Sequence, residues 1–375
     1  HGIRFIPMFG RQSFMVDGKH HFYGGVNIEA VGGGSGLVEA EIRRALQIGC
    51  EIRYDTAATR LIQDKNKKIT GLEISSPDGI ETINARSIVL ACGGFESNPE
   101  MRARYLGPGW DLARVRGTKH NMGDGIKMAI DIGARAYGNW SGCHSVGWDI
   151  SAPEYGDYEV LDNFQKHSYP WGIMVNTDGN RFVDEGEDLR NHTYVKFGRE
   201  IMKQPNRTAI QIFDQKTIPL LRDEYRIRQV TKVSGNTIAE LAQELEINAS
   251  ALTKTIDEFN AACKPGKFNP SILDGVATTG LNPNKTNWAL PIDEPPFEAF
   301  ITTTGVTFTF GGLKVDEKGS VLDNNDRSIG GLFAAGELVG GLFYENYPGG
   351  SGLMAGAVYG KIAGENAASY AVGNT

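Results

Sequence analysis

The densest group of residues able to do chemistry lies near the C-terminal end of this 375-residue chain. Gly336-Glu337 is followed by Gly340-Gly341, and then Tyr347-Pro-Gly-Gly-Ser351-Gly352-Leu353 opens an apolar, alanine-rich run. Glycines let backbone approach a ligand closely, and the free N–H groups at a helix start offer donors and partial positive charge. An acid directly after a strand can accept hydrogen bonds from sugar-like hydroxyls. Such a stretch can hold a nucleotide-type cofactor. It reads equally as a strand-end turn whose glycines serve helix packing.

Five further groupings stand out. A glycine-rich helix entry recurs at Gly32–Gly36, and the apolar run Ser87–Ala91 ends in Cys92-Gly-Gly-Phe-Glu96, which suits either a buried strand facing a ligand or a strand with a tight turn. Met122-Gly-Asp124-Gly125 opens an amphipathic segment, and a dipole contribution of ~0.3–1 kcal/mol explains Asp124 there without any function. His144, among small and aromatic residues, reads as a ligand contact, a proton shuttle or a satisfied core residue. Arg181, Asp184, Glu185, Glu187, Asp188, Arg190 and His192 crowd into one short stretch, as a solvated face also would.

Composition narrows the classes. A formal charge of −7 with interspersed signs offers no basic face, so no nucleic-acid partner is expected. The 4 cysteines are scattered and the histidines lack ligand spacing, so we expect reduced thiols and no metal. No segment approaches the ~20 apolar residues of a membrane span, and a cytoplasmic protein is expected.

The elements that must position these residues alternate in type. A hairpin with a turn at Asp17-Gly18 precedes a helix over 37–48; strands are expected at 51–54, 57–62, 69–75, 81–84 and 87–91, and a helix over 126–132. From about Trp140 the sequence becomes aromatic and irregular, then helical at 217–225, 237–245 and 250–263, with Thr237 and Asn248 as N-caps. We read 140–306 as a domain inserted between 1–139 and 307–375.

Taken in order, the Gly-rich helix entry, Ala91-Cys-Gly-Gly-Phe95, Met122-Gly-Asp-Gly125, Asn180-Arg-Phe-Val-Asp-Glu185, Phe310-Gly-Gly312, Ala335-Gly-Glu337 and Tyr347-Pro-Gly-Gly-Ser351 resemble the fumarate reductase/succinate dehydrogenase flavoprotein family. The resemblance spans the whole chain and points to the soluble FAD-dependent branch, most like the tricarballylate dehydrogenases. It implies an α/β fold with an α+β cap, that is, a partial glutathione-reductase-type FAD domain (1–139 and 307–375) carrying an inserted capping domain (140–306). It also implies FAD contacts from Ala58, Asp124, Phe308, Glu337, Ser351, Gly352 and Leu353. Catalytic roles would fall to His144, Arg190 and Tyr347, with His144 on a substrate carboxylate and Arg190 moving a proton.

The chain also departs from that family. Thr307 and Phe308 stand where the fumarate reductases have paired histidines, and Tyr347 where they have an arginine; losing a bidentate carboxylate fork disfavours fumarate or succinate. The family's strand–Gly-x-Gly-x-x-Gly–helix unit does not occur, so an N-terminal portion is expected to be missing and this chain to bind FAD weakly or not at all. The expected activity is dehydrogenation of a CH–CH bond in a small polycarboxylate, with hydride passing to flavin N5 and electrons to an unidentified acceptor. The alternatives are an alkene reductase, a 3-ketosteroid dehydrogenase and an inactive fragment without FAD.

Overall fold

The computed structural model describes residues 2–16, 18–23 and 25–373. The N-terminal hairpin pairs Ser13–Val16 with Lys19–Phe22; Asp17, read as part of its turn, lies outside the described residues. The glycine-rich entry at Gly32 does feed a helix, Gly33–Gln47. The segment at 51–54 is irregular rather than a strand. Its apolar residues have no sheet neighbour to pair with.

Two groups of strands matter for function. In the first, Ala57–Gln63, Ile69–Ser76 and Gly79–Asn84 form an antiparallel meander, and Ile88–Leu90 pairs in parallel with Ser328–Ala334. Helix Asp124–Asp131 packs Ile126 and Ala129 into a core with Leu61, Ile69, Leu90, Phe95, Leu332 and Leu338. Ile126, Phe95 and Leu332 are fully buried, each worth about 1.5–3 kcal/mol of transfer free energy.

The second group is organised by one long strand, Phe297–Thr309, rich in threonine and aromatics as a pleated half-buried strand requires. On one side it pairs antiparallel with Cys143–Asp149, and on the other with Ala209–Phe213, which in turn pairs with Ile173–Asn176. Its threonine hydroxyls are satisfied: Thr302 donates to Ala209 O and Thr304 to Gly198 O, both at 2.8 Å. The strand runs unbroken through Val306 and Thr307 to Thr309, whose N–H donates to Glu337.

Helices close this second layer. Thr237 and Asn248 cap helices Ile238–Glu244 and Ala249–Ala262, accepting from Glu240 N–H at 3.1 Å and Ala251 N–H at 2.9 Å. At 217–225 the expected helix is two 3₁₀ turns, Ile218–Leu220 and Asp223–Tyr225, because Pro219 contributes no N–H to a longer ladder. Among the described residues no helix is long and apolar enough to cross a membrane.

Candidate functional site

The parallel register of Leu332 with Ile88 and Ala334 with Leu90 puts the carboxyl ends of both strands on one edge. Ligands of open parallel sheets collect at such an edge. Gly93-Gly94-Phe95-Glu96 therefore lies beside Gly336-Glu337. Glu337 Oε1 accepts from the Thr309 N–H at 2.7 Å and from its hydroxyl at 3.1 Å. The space that a side chain at Gly94 would need is filled by Glu337 Oε1 and Thr309 Oγ1, so only glycine fits there. Gly94 O accepts from Gly123 N–H at 2.9 Å, which sets exposed Asp124, the first residue of its helix, next to this edge.

The C-terminal helix, Ser351–Val372, starts from Gly350 at φ 85° with no side-chain cap. Tyr347, packed beneath it, uses its phenol oxygen to accept from Gly352 N–H at 3.0 Å, and Ser351 Oγ donates to Pro348 O at 2.6 Å. A Cβ at Gly352 would lie 3.2 Å from the Tyr347 oxygen and 3.7 Å from the Phe308 ring. Leu353 projects outward, 66% exposed.

His144 lies behind Tyr347 on strand Cys143–Asp149, directly opposite Phe308. Its ring stacks on Phe308 at 5.3 Å and meets the Tyr347 ring edge-on at 4.6 Å. Nδ1 is 2.6 Å from Thr307 Oγ1 and Nε2 is 3.1 Å from the Tyr194 hydroxyl. Arg116 Nη1 donates to the same Thr307 oxygen at 2.5 Å and is itself held by Asp162. Burial, with the charges of Arg116 and Arg190 nearby, pushes the His144 pKa well below its usual value. It is a neutral imidazole that exchanges hydrogen bonds without carrying charge.

Arg190 opens helix Arg190–Met202, and Tyr194 and Gly198 follow at intervals of four, on one face. The face approaches strand Cys143–Asp149 closely because Gly198 has no side chain: a Cβ there would overlap the Ser145 backbone. The Arg190 guanidinium sits over the Tyr194 ring at 5.0 Å. Its Nη2 is buried without a hydrogen-bond partner, and among the described residues it makes no ion pair. The residue as a whole is partly exposed while its guanidinium is enclosed; that burial, then the charge of Arg222, lowers its pKa to about 9. His167, with both ring nitrogens buried and unpartnered, lines a small cavity together with Arg190 and Arg222.

The structure thus gathers His144, Phe308 and Tyr347 into one cluster, reaches Arg190 through Tyr194, and links the cluster through Gly352 and Thr309 to Ser351 and Glu337. Asp124 joins at the Gly94 edge. Ala58, opposite Ile74 in the meander, packs on the first core and is joined to the others by no hydrogen bond among the described residues. Sequence reading missed Tyr194, Arg116, Thr309, His167 and Glu96. Glu96 alone had a usable signal, an acid following strand-ending glycines just as Glu337 does.

A glycine-lined strand edge with a carboxyl acceptor, together with a helix start whose N-cap residue is glycine, fits the polyol and flavin portions of FAD. Comparison with known proteins agrees. A family model described as FAD binding domain matches residues 9–353. A probable fumarate reductase of Shewanella frigidimarina is 30% identical over 362 residues, covering 95% of this chain and 56% of that protein. The open conformation of a flavocytochrome c3 fumarate reductase superposes with a TM-score of 0.70 at 26% identity, over 97% of this chain and 61% of that one. A 3-ketosteroid delta1-dehydrogenase from Sterolibacterium denitrificans gives 0.67 at 26% identity, over 87% and 61%. The chain spans a little over half the length of that curated reductase.

Proposed function

The chain belongs to the FAD-binding domain family, in its fumarate reductase/succinate dehydrogenase-like group, and from that premise we propose that it serves an FAD-dependent oxidoreductase acting at a CH–CH or C=C bond of a small carboxylate. Its cofactor is FAD, which when bound supplies the two-electron chemistry. Residues 1–139 and 307–375 form the flavin unit, of glutathione-reductase type, and 140–306 the cap. Glu337, Gly94 and the start of helix Ser351–Val372 hold the cofactor.

The observation that carries this reading is the buried, unpaired guanidinium of Arg190. An uncompensated buried cation is costly, and a substrate carboxylate is the group that relieves it. Neutral His144 orients the substrate by hydrogen bonding, and the aromatic rings of Phe308, Tyr194 and Tyr347 exclude water. With its pKa lowered to about 9, Arg190 can exchange a proton with the substrate carbon far more readily than an ordinary arginine. Tyr347, whose phenol oxygen is engaged by Gly352 N–H, orders the helix start in this reading, and the proton falls to Arg190.

We favour dehydrogenation of a polycarboxylate other than succinate, as in the tricarballylate dehydrogenases, since Tyr347, in place of a carboxylate-gripping arginine, disfavours fumarate and succinate. The relatives compared above are a fumarate reductase and a steroid dehydrogenase by name, so reduction of an activated alkene is the second reading. Four unpaired cysteines accord with a cytoplasmic setting. The decisive assay offers tri- and dicarboxylates and 3-ketosteroids to the protein with an artificial dye acceptor. Dye reduction by carboxylates is expected. Reduction by ketosteroids alone would overturn the substrate class, and oxidation of a reduced dye by unsaturated acids alone would establish the reductive direction.

A further inference from the structure

At the edge where the two parallel strands end, Glu337 has a neighbour of the same charge. Glu96 is 3% exposed; its Oε1 accepts from Asn121 Nδ2 at 2.5 Å, while Oε2 is buried with no donor in reach. The Glu337 carboxyl lies within hydrogen-bonding reach of the Glu96 carboxyl. Glu337 Oε1 already accepts two bonds from Thr309. The cation that reaches Glu96, Arg102, directs its donors to backbone carbonyls: Trp110 O and Asp111 O at 2.8 Å, Ala113 O at 3.3 Å, and Glu96 O itself. The buried Cys143 thiol also lies near Glu96, and its own burial pushes its pKa up. Two carboxyls this close, Glu96 buried and Glu337 half-buried, do not both ionise readily.

We propose that Glu96 and Glu337 share one proton, and that Glu96 is thereby a positioning residue that holds the Glu337 carboxyl as acceptor for the ribityl hydroxyls of the flavin. Burial pushes both carboxyls up, and Glu96 pushes Glu337 further. The shared proton stands on this contact alone; the ribityl role rests on the flavin-site reading above.

The sign of the linkage follows. The folded pair keeps a proton that the unfolded chain has lost above about pH 4.5, so the pair's contribution to stability falls as pH rises from there toward the folded value. The test is Glu96→Gln, which imitates the protonated carboxyl and removes the titration. Urea unfolding of ligand-free protein is measured between about pH 5 and about pH 8. Relative to Glu96→Gln, wild type is expected to lose stability progressively as pH rises; contributions of the buried histidines are common to both and cancel. Equal slopes in the two proteins overturn the shared proton. Infrared spectroscopy of the wild type gives a second reading that needs no stable variant: a protonated-carboxyl stretch is expected at neutral pH, and its absence also overturns the proposal.

A separate arm titrates FAD by quenching of its fluorescence. Wild-type affinity is expected to weaken about tenfold over the pH unit in which the pair ionises, and that of Glu96→Gln to stay level. A pH-dependent stability difference with a wild-type FAD affinity that does not change with pH would retain the shared proton and reject its flavin role. Equal pH dependence of FAD affinity in both proteins would reject that role too.

Discussion

The phenol oxygen of Tyr347 accepts the Gly352 N–H at 3.0 Å, so the side chain that packs edge-on against His144 also caps the helix start that faces the cofactor edge. One residue ties the aromatic substrate cluster to the first turn of Ser351–Val372. Tyr347→Phe keeps the ring and removes the acceptor. It is expected to destabilise the protein by about 1 kcal/mol, read from urea unfolding, while the pH profile of turnover stays unchanged. Loss of a limb of that profile would make Tyr347 an acid–base group instead.

Arg190→Lys retains a cation but neither the planar fork nor the reach, and Arg190→Ala removes the charge. Turnover is expected to fall by about 10²- to 10⁴-fold in either variant, the usual worth of a positioned proton-transfer group. In wild type, dehydrogenation that requires the neutral guanidine as proton acceptor should rise as pH approaches about 9, whereas the reductive direction, which requires the guanidinium, should decline through that pH. That limb should be absent in Arg190→Ala, which a pH–rate series with carboxylate substrate will check.

Gly198 lets the Arg190 helix lie against the His144 strand. Gly198→Ala places a methyl group on the Ser145 backbone and is expected to cost about 1–3 kcal/mol. Because the helix carries Arg190 and Tyr194, turnover should drop more than stability requires. Equal activity at temperatures where both proteins are fully folded would argue against that coupling.

His144 and His167 are both held neutral by burial, reinforced by neighbouring arginine charges, with folded pKa values well below the ordinary one. The unfolded chain therefore takes up protons below about pH 6.5 that the folded protein refuses. Their stabilising contribution is complete above that pH and is lost as pH falls. In unfolding experiments below about pH 6, His167→Gln should shallow the decline by up to about 1.4 kcal/mol per pH unit. An unchanged slope would mean that His167 is protonated in the folded state.

Much of the fold was legible in the chain. The Thr237 and Asn248 caps, the glycine-rich helix entries and the meander strands depend on local conformation, and they appear where residue type puts them. The irregular 51–54 segment and the broken 217–225 turns were not legible, since the first lacks a pairing neighbour and the second yields to one proline.

The sequence by itself determined the glycine–acid motifs and their order, hence the family and its cofactor, because such motifs constrain backbone within a few residues. Only the tertiary structure decided which side chains meet. A parallel register between strands more than 200 residues apart sets Glu96 against Glu337, and a missing side chain at Gly198 brings the Arg190 helix against the His144 strand. Burial then decides the chemistry, since an isolated glutamate, histidine or arginine has an ordinary pKa and acquires a shifted one only when packing removes its water.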